Sequence, residues 1–233
     1  EADIVDLLGA DAALFLDLYG MAPVPGVEGS VIFRKTTESE VAADHGIDVS
    51  LLRSTMVAAR SILLAERQRR PYPLKDDKIL TSWNGMMIGA CAEAYAAFGE
   101  PSYLRSAEAA ALFIEDHLRT ASGGLQRVYH NGTVKQEGFL EDYAHYADGL
   151  LAIYRATGQK RWLDLAEEVV DETVSRFWDE TGAGYFYTEG TGDDLIARSK
   201  SASDSALPSP NAVAVKNMLV VARETERGDL FER

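Results

Sequence analysis

The sequence predicts an all-α protein, with helical hairpins in two layers around a ring and short β-hairpins on one face. Three observations predict it. First, a block recurs: Tyr95–Leu104 (YAAFGEPSYL) matches Tyr154–Leu163 (YRATGQKRWL) at an offset of 59 residues, and Gly123 and Gly182 keep that offset. A looser third copy, Val221–Phe231 (VARETERGDLF), retains the helix end and the final apolar pair. A long fixed period marks a supersecondary unit that stacks on its neighbours to bury its faces. Second, two kinds of helix alternate. Leu104, Ala107, Ala111, Ile114 and Leu118 follow a 3, 4, 3, 4 spacing with charges between them, as do Leu163, Ala166, Val170 and Phe177 in the next copy. These are outer, half-wet helices. Trp83–Phe98 carries one charge, Glu93, and Ala212–Ala222 only Lys216, so these are expected to be inner helices covered on most sides. Third, connections alternate. Gly99–Ser102 and Gly158–Lys160 are tight, with Gly at the C-terminal cap. Pro71–Thr81, Thr120–Phe139 and Asp179–Leu207 are long. Antiparallel helices alternate ends, so the long connections share one face, the functional one.

Element by element, Ile4–Tyr19 reads as one or two helices interrupted at Gly9, and Pro23–Gly29 as a loop. Thr37-Glu38-Ser39-Glu40 is a capping box that opens a short helix ending at Gly46. Asp48–Arg70 is a long amphipathic outer helix whose Arg67–Arg70 (RQRR) end complements the macrodipole. Thr81 or Ser82 is the expected cap of the helix that follows, accepting a backbone N–H. In the middle connection, Asn131-Gly132 between β-prone runs signals a hairpin. Tyr185-Phe186-Tyr187 and Leu195-Ile196-Ala197 suggest a second. The chain thus reads as one partial barrel domain over 1–233, with an irregular segment over 1–47 and repeated hairpins over 48–233.

Composition excludes several classes. A net charge of −14 argues against a nucleic-acid partner, which needs clustered Lys and Arg. A single cysteine, Cys91, leaves no intrachain disulfide and no Cys-based zinc site, and its apolar neighbours make it a small core residue. A reducing, cytoplasmic setting follows. No run of about 18 apolar residues is present, so no membrane partner is expected. The chain opens on Glu1 rather than Met, which reads as a fragment whose absent N-terminus is free to have carried a targeting segment.

The stretches KDDKILTSWNG (75–85), FLEDYAHYADGLLAIYRATG (139–158) and DSALPSPNAVA (204–214), in this order, resemble the YyaL family. These are thioredoxin-domain-containing proteins related to the spermatogenesis-associated thioredoxin-like proteins, and the likeness spans most of Asp11–Val221. It implies an (α/α)6 toroid like that of six-hairpin glycosidases and N-acylglucosamine 2-epimerases, and a carbohydrate-binding, carbohydrate-processing role. Two stretches depart from the family pattern: Pro25-Gly26-Val27-Glu28-Gly29, and Pro208-Ser209-Pro210-Asn211, where Pro210 pushes Ser209 towards extended geometry. The family's thioredoxin-like domain is absent. The six long helices amount to about half a ring, so exposed helix edges and self-association are expected.

The candidate chemistry is carboxylate chemistry. Asp76 and Asp77 precede the Trp83 helix, Glu141 and Asp142 open the next inner helix, and Asp204 precedes the third. Glycoside cleavage needs two carboxyls across a bond, one protonated and one ionised. These five are the catalytic candidates, weighed against first-turn acids that only complement a helix dipole. Trp83, Tyr143 and Tyr146 offer flat surfaces for sugar rings, with Asn84, His145 and Asn211 as positioning groups for a sugar-like small molecule. His145 follows Asp142 at i+3, a metal-ligand spacing, but one copy is insufficient and neither metal nor cofactor is expected. His45, His117 and His130 sit at a helix end, on an outer helix and in a turn. Gly182-x-Gly184 lacks the helix start of a dinucleotide fingerprint. The alternatives are an epimerase-like sugar isomerase, weakened by a single histidine on the face, and a non-catalytic interaction module serving the thioredoxin-like domain.

Overall fold

The computed structural model describes residues 2–23, 25–26, 30–190 and 197–231, in two compact units, 1–75 and 76–233. Three expectations fall wholly or partly outside the described residues: the Leu195-Ile196 strand, residues 27–29 of the altered stretch, and the tip of the loop at 23–29.

In the first unit, α1 (Ala2–Leu8) ends in a 3-10 turn at Gly9, whose φ of +55° needs the missing Cβ, before α2 (Ala12–Leu18). An unexpected antiparallel hairpin follows, β1 (Tyr19–Pro23) against β2 (Ser30–Arg34). Its first strand, YGMAP, lacks the β-branched alternation that marks a strand, and the reading ran the helix on to Tyr19. The capping box forms as expected: Thr37 caps α3 (Glu38–Asp44), accepting from Glu40 N–H while the Glu40 carboxylate accepts from Thr37 N–H. Asp48 caps α4 (Val49–Arg69) by accepting from Ser50 N–H at 2.7 Å. Ile4, Phe15, Leu18, Val41, Leu52 and Met56 form the core.

The second unit alternates as the repeat requires. Strand β3 (Ile79–Leu80) leads into α5 (Thr81–Phe98), then α6 (Pro101–His117), the hairpin β4 (Gln126–His130) and β5 (Thr133–Glu137), α7 (Leu140–Thr157), α8 (Lys160–Phe177) and α9 (Pro210–Glu224). Gly99 and Gly158 end α5 and α7 in the left-handed conformation, φ +69° and +68°. Asn131 and Gly132 take φ of +48° and +76°, the two-residue turn that closes β4 on β5. Pro210, flagged as a departure, sits in the first turn of α9, where a proline's missing N–H costs nothing, and Ser209 caps it through Ala212 N–H.

Helix α7 is the centre of this unit, packed against α5, α6, α8 and α9. Its approach to α5 is through bare backbone. A Cβ on Gly85 would lie 2.6 Å from the His145 carbonyl, and one on Gly149 would lie 2.6 Å from the Gly85 oxygen. Tyr143 stacks edge-on against Phe177 of α8, and Tyr146 reaches α6. Helices α5, α7 and α9 therefore form one layer, with α6 and α8 behind it. The long connections meet at the N-terminal ends of that layer: Thr81 Oγ1 donates to Gln126 O, Leu140 N–H to Tyr187 O, and Asn211 holds both backbone groups of Tyr185.

Candidate functional site

The site begins with Asp142, whose side chain is fully buried. It accepts from its own helix start (Phe139 N–H, 2.9 Å), from the start of α5 (Ser82 N–H, 3.0 Å) and from Arg127 of β4 (3.0 Å). Three elements distant in sequence are thus tied to one carboxylate. This corrects the expectation for α5. Neither Thr81 nor Ser82 caps that helix; the acceptor comes from α7, and Thr81 spends its hydroxyl on β4. Burial pushes the Asp142 carboxyl up, opposed by Phe139 N–H, Arg127 and Ser82 N–H. Arg127 also moves up: burial opposes its charge, and Asp142 and Glu141 outweigh burial. The two directions agree physically, because the aspartate lies deeper than the guanidinium that reaches it.

Glu141 points to the rim. Its Oε1 lies 2.6 Å from Arg127 Nη1, and the Arg127 guanidinium stacks over the Phe139 ring at 4.9 Å. The Tyr187 hydroxyl bonds to Glu141; burial first and that negative charge second push it up to about 12. Helical spacing of 100° per residue puts Glu141, His145, Asp148 and Ala152 on one face of α7, diametrically opposite Tyr143, Tyr146 and Leu150, which pack on the outer layer. Across this face Lys216 of α9 pairs with both oxygens of Asp148, at 2.7 and 2.8 Å. Between Glu141 and Asp148 lies His145, 3% exposed, with Nε2 bonded to nothing among the described residues. Burial and Lys216 lower its pKa against the raising effect of Glu141 and Asp148, so the imidazole is neutral at neutral pH.

The structure brings together three of the residues anticipated from sequence, Glu141, Asp142 and His145, and disperses the rest. Asp76 pairs with Lys78 at 2.9 Å in an exposed turn, which lowers its pKa through those hydrogen bonds. Asp77 pairs with His130 of the hairpin tip at 2.8 Å, both largely exposed. Asp204 accepts from Ser209 N–H at 2.8 Å. None of these three reaches the Glu141–Asp148 face through a recorded contact, and each is occupied in a local turn or pair. Trp83 lies half a turn of helix from Gly85 and Gly89, hence on the side of α5 away from α7, and is 59% exposed. The Asn84 side chain donates back to Leu80 O. The Tyr143 hydroxyl accepts from Leu125 N–H, and the Tyr146 hydroxyl donates to Ala111 O and Glu115; both rings are packing groups between layers. Asn211 is a clamp on Tyr185 and Ser201.

Four residues of the face were not anticipated. Asp148 was within reach of the sequence, since it continues the Glu141–His145 face by one turn. Lys216 was noted only as the lone charge of α9. Arg127 and Tyr187 sit in connections, where no periodicity reports direction. Among the described residues no group of three His, Cys, Asp or Glu side chains is placed to hold a metal ion.

No family model matches the chain. It is 32% identical to mouse spermatogenesis-associated protein 20 in an alignment 241 positions long that covers 94% of this chain, and 37% identical to the human protein in one 202 positions long that covers 82%. The chain belongs to the spermatogenesis-associated protein 20 family. It spans 30% and 26% of those two relatives. Among solved structures, it is similar to cellobiose 2-epimerase from Bacillus thermoamylovorans (TM-score 0.56, 16% identity, 68% of this chain and 43% of that one). A glycoside hydrolase family 76 mannosidase from Bacteroides thetaiotaomicron gives a TM-score of 0.51 at 16% identity, covering 69% of this chain and 43% of the other. The chain is therefore a segment of an (α/α)6 toroid, the fold that these sugar epimerases and glycosidases share. None of its described helices is long and apolar enough to cross a membrane.

Proposed function

We propose that this segment is a carbohydrate-binding and carbohydrate-processing surface, with the α7 face as its floor. The observation that carries the reading is the arrangement of Glu141, His145 and Asp148 on successive turns, rimmed by Arg127, Tyr187 and Lys216. Sugar hydroxyls are paired donors and acceptors, and such a face meets them with carboxylate acceptors, a phenol and a free imidazole nitrogen. The fold supports the reading by analogy only. A glycosidase pair is the weaker form of it. Glu141 and Asp142 share one guanidinium on the same side of the site, so they do not stand as separate acid and base across a bond.

His145 favours an isomerase-type reaction as the second reading. A neutral, unpaired imidazole is suited to taking a proton from carbon beside a sugar carbonyl. The test is calorimetry of the chain with a panel of monosaccharides, repeated with Glu141→Gln and His145→Ala. Loss of a charge-assisted hydrogen bond lowers affinity by about tenfold or more. A panel without heat, or variants that bind like the parent, ends the reading. Incubation of mannose or fructose in deuterated water then separates the two forms: deuterium entering at carbon 2 only when His145 is present supports isomerisation, and none entering leaves a binding surface.

A further inference from the structure

The charges on the α7 face restrict which carbohydrate it accepts. Both cations recorded against it are already paired: Arg127 with Glu141 (2.6 Å) and Asp142 (3.0 Å), Lys216 with Asp148 (2.7 Å). Three carboxylates thus meet two cations over the first three turns of α7. The next cation on this side, Arg155, is seven residues further on, about 10 Å along the helix and at its exposed end. His145 adds no positive charge, because burial keeps it neutral, and its Nε2 is left without a hydrogen-bond partner among the described residues.

We infer that the site takes uncharged sugars and rejects acidic ones, uronates and sugar phosphates alike. This rests on the carbohydrate reading above and narrows it. An incoming carboxylate or phosphate would meet Glu141 and Asp148, whose cations among the described residues, Arg127 and Lys216, are both already paired. It would have to compete with Asp148 for the half-exposed Lys216, or with Glu141 for the more buried Arg127, and in either place one more negative charge would face the same cation. A neutral pyranose brings hydroxyl donors that the remaining carboxylate lone pairs accept, and a hydroxyl, being donor and acceptor at once, suits His145 Nε2 in either tautomer without breaking either pair.

The experiment is calorimetric titration of the chain at low ionic strength with glucose, mannose and N-acetylglucosamine against galacturonate and glucose 6-phosphate. The expected result is that at least one neutral sugar binds and the acidic ones bind about tenfold or more weakly. Asp148→Asn, which frees Lys216, is then expected to narrow that gap severalfold, and the narrowing is expected to fade as salt rises. Acidic sugars binding as tightly as neutral ones overturn the inference while leaving the carbohydrate reading in place, and so does a gap that Asp148→Asn does not change. No binding by any member of the panel removes both.

Discussion

Helices α5 and α7 have the same length, lie side by side, and contradict their own sequences. Helix α5 has one charged residue in eighteen, yet only five of its residues are buried; α7 carries Glu141, Asp142, His145, Asp148 and Arg155, yet twelve of eighteen are buried. Position in the layer decides this. Helix α7 has helices on four sides, whereas the helices that pack on α5 within its unit are α6 and α7, with β3 and β4 at its start. Polarity read from sequence reports what a helix tolerates, and its neighbours report what it receives. Charges enter α7 because Glu141, Asp142 and Asp148 each have a cation and Arg155 is exposed, while the buried His145 stays neutral.

The sharpest way to break the comparison is to remove the partner that makes α7's burial tolerable. Asp142→Ala leaves Arg127 without its inner contact and orphans the N–H groups of Ser82 and Phe139. Truncating one member of a buried ionic network costs about 3–5 kcal/mol. The expected outcome is a denaturation midpoint lowered accordingly, with unchanged slope; a loss below about 1 kcal/mol would mean that the junction of β4, α5 and α7 holds without this carboxylate.

A smaller effect tests the glycine contact. Gly85→Ala puts a Cβ 2.6 Å from the His145 carbonyl, backbone that cannot swing aside, whereas Gly89→Ala finds its nearest neighbours at 3.9 and 4.0 Å. Overpacking of this kind costs about 1–3 kcal/mol. At Gly89 the gain in helix propensity, up to about 1 kcal/mol, is expected to dominate. Opposite signs in chemical denaturation support close packing at Gly85 alone; a Gly85→Ala variant as stable as the parent means that the α5–α7 contact gives way there.

These two positions also show where sequence reading stopped. The repeat, the glycine caps, the Asn131-Gly132 turn and the Thr37 capping box were legible because each depends on residues within a few positions of one another. The β1–β2 hairpin was not, since YGMAP has no strand period of its own. The cap of α5 was assigned to Thr81 or Ser82 because a local rule looks locally, while the acceptor lies 60 residues away on α7. For the site, Glu141, Asp142 and His145 were read from one helix start, and Asp148 from the same face was overlooked. Lys216, Arg127 and Tyr187 join them only through the packing of α9 and two connections on α7, which no pattern along the chain encodes. From sequence the adjacent acids Asp76 and Asp77 make a better pocket pair than Glu141 and Asp142, because they precede their helix, but they lie exposed, where Lys78 and His130 hold them.

The smallest expected change in stability belongs to the open side of α5, where Trp83, Met87 and Ala90 recur at helical spacing, all exposed, with Phe98 at the end of the same side. An apolar stripe of this length on a monomer is a site of association. The chain is expected to pair with a second copy through it, in a concentration-dependent manner visible by light scattering. Trp83→Lys removes the largest ring and sets two like charges against each other in a symmetric dimer, so the variant is expected to be monomeric. Its unfolding free energy at dilution is expected to change by less than about 0.5 kcal/mol, because the ring is already mostly in solvent. A parent chain that stays monomeric at high concentration counts against pairing through α5. A large stability loss in the variant would mean that Trp83 is a core residue after all, and that α5 and α7 differ less than their exposures say.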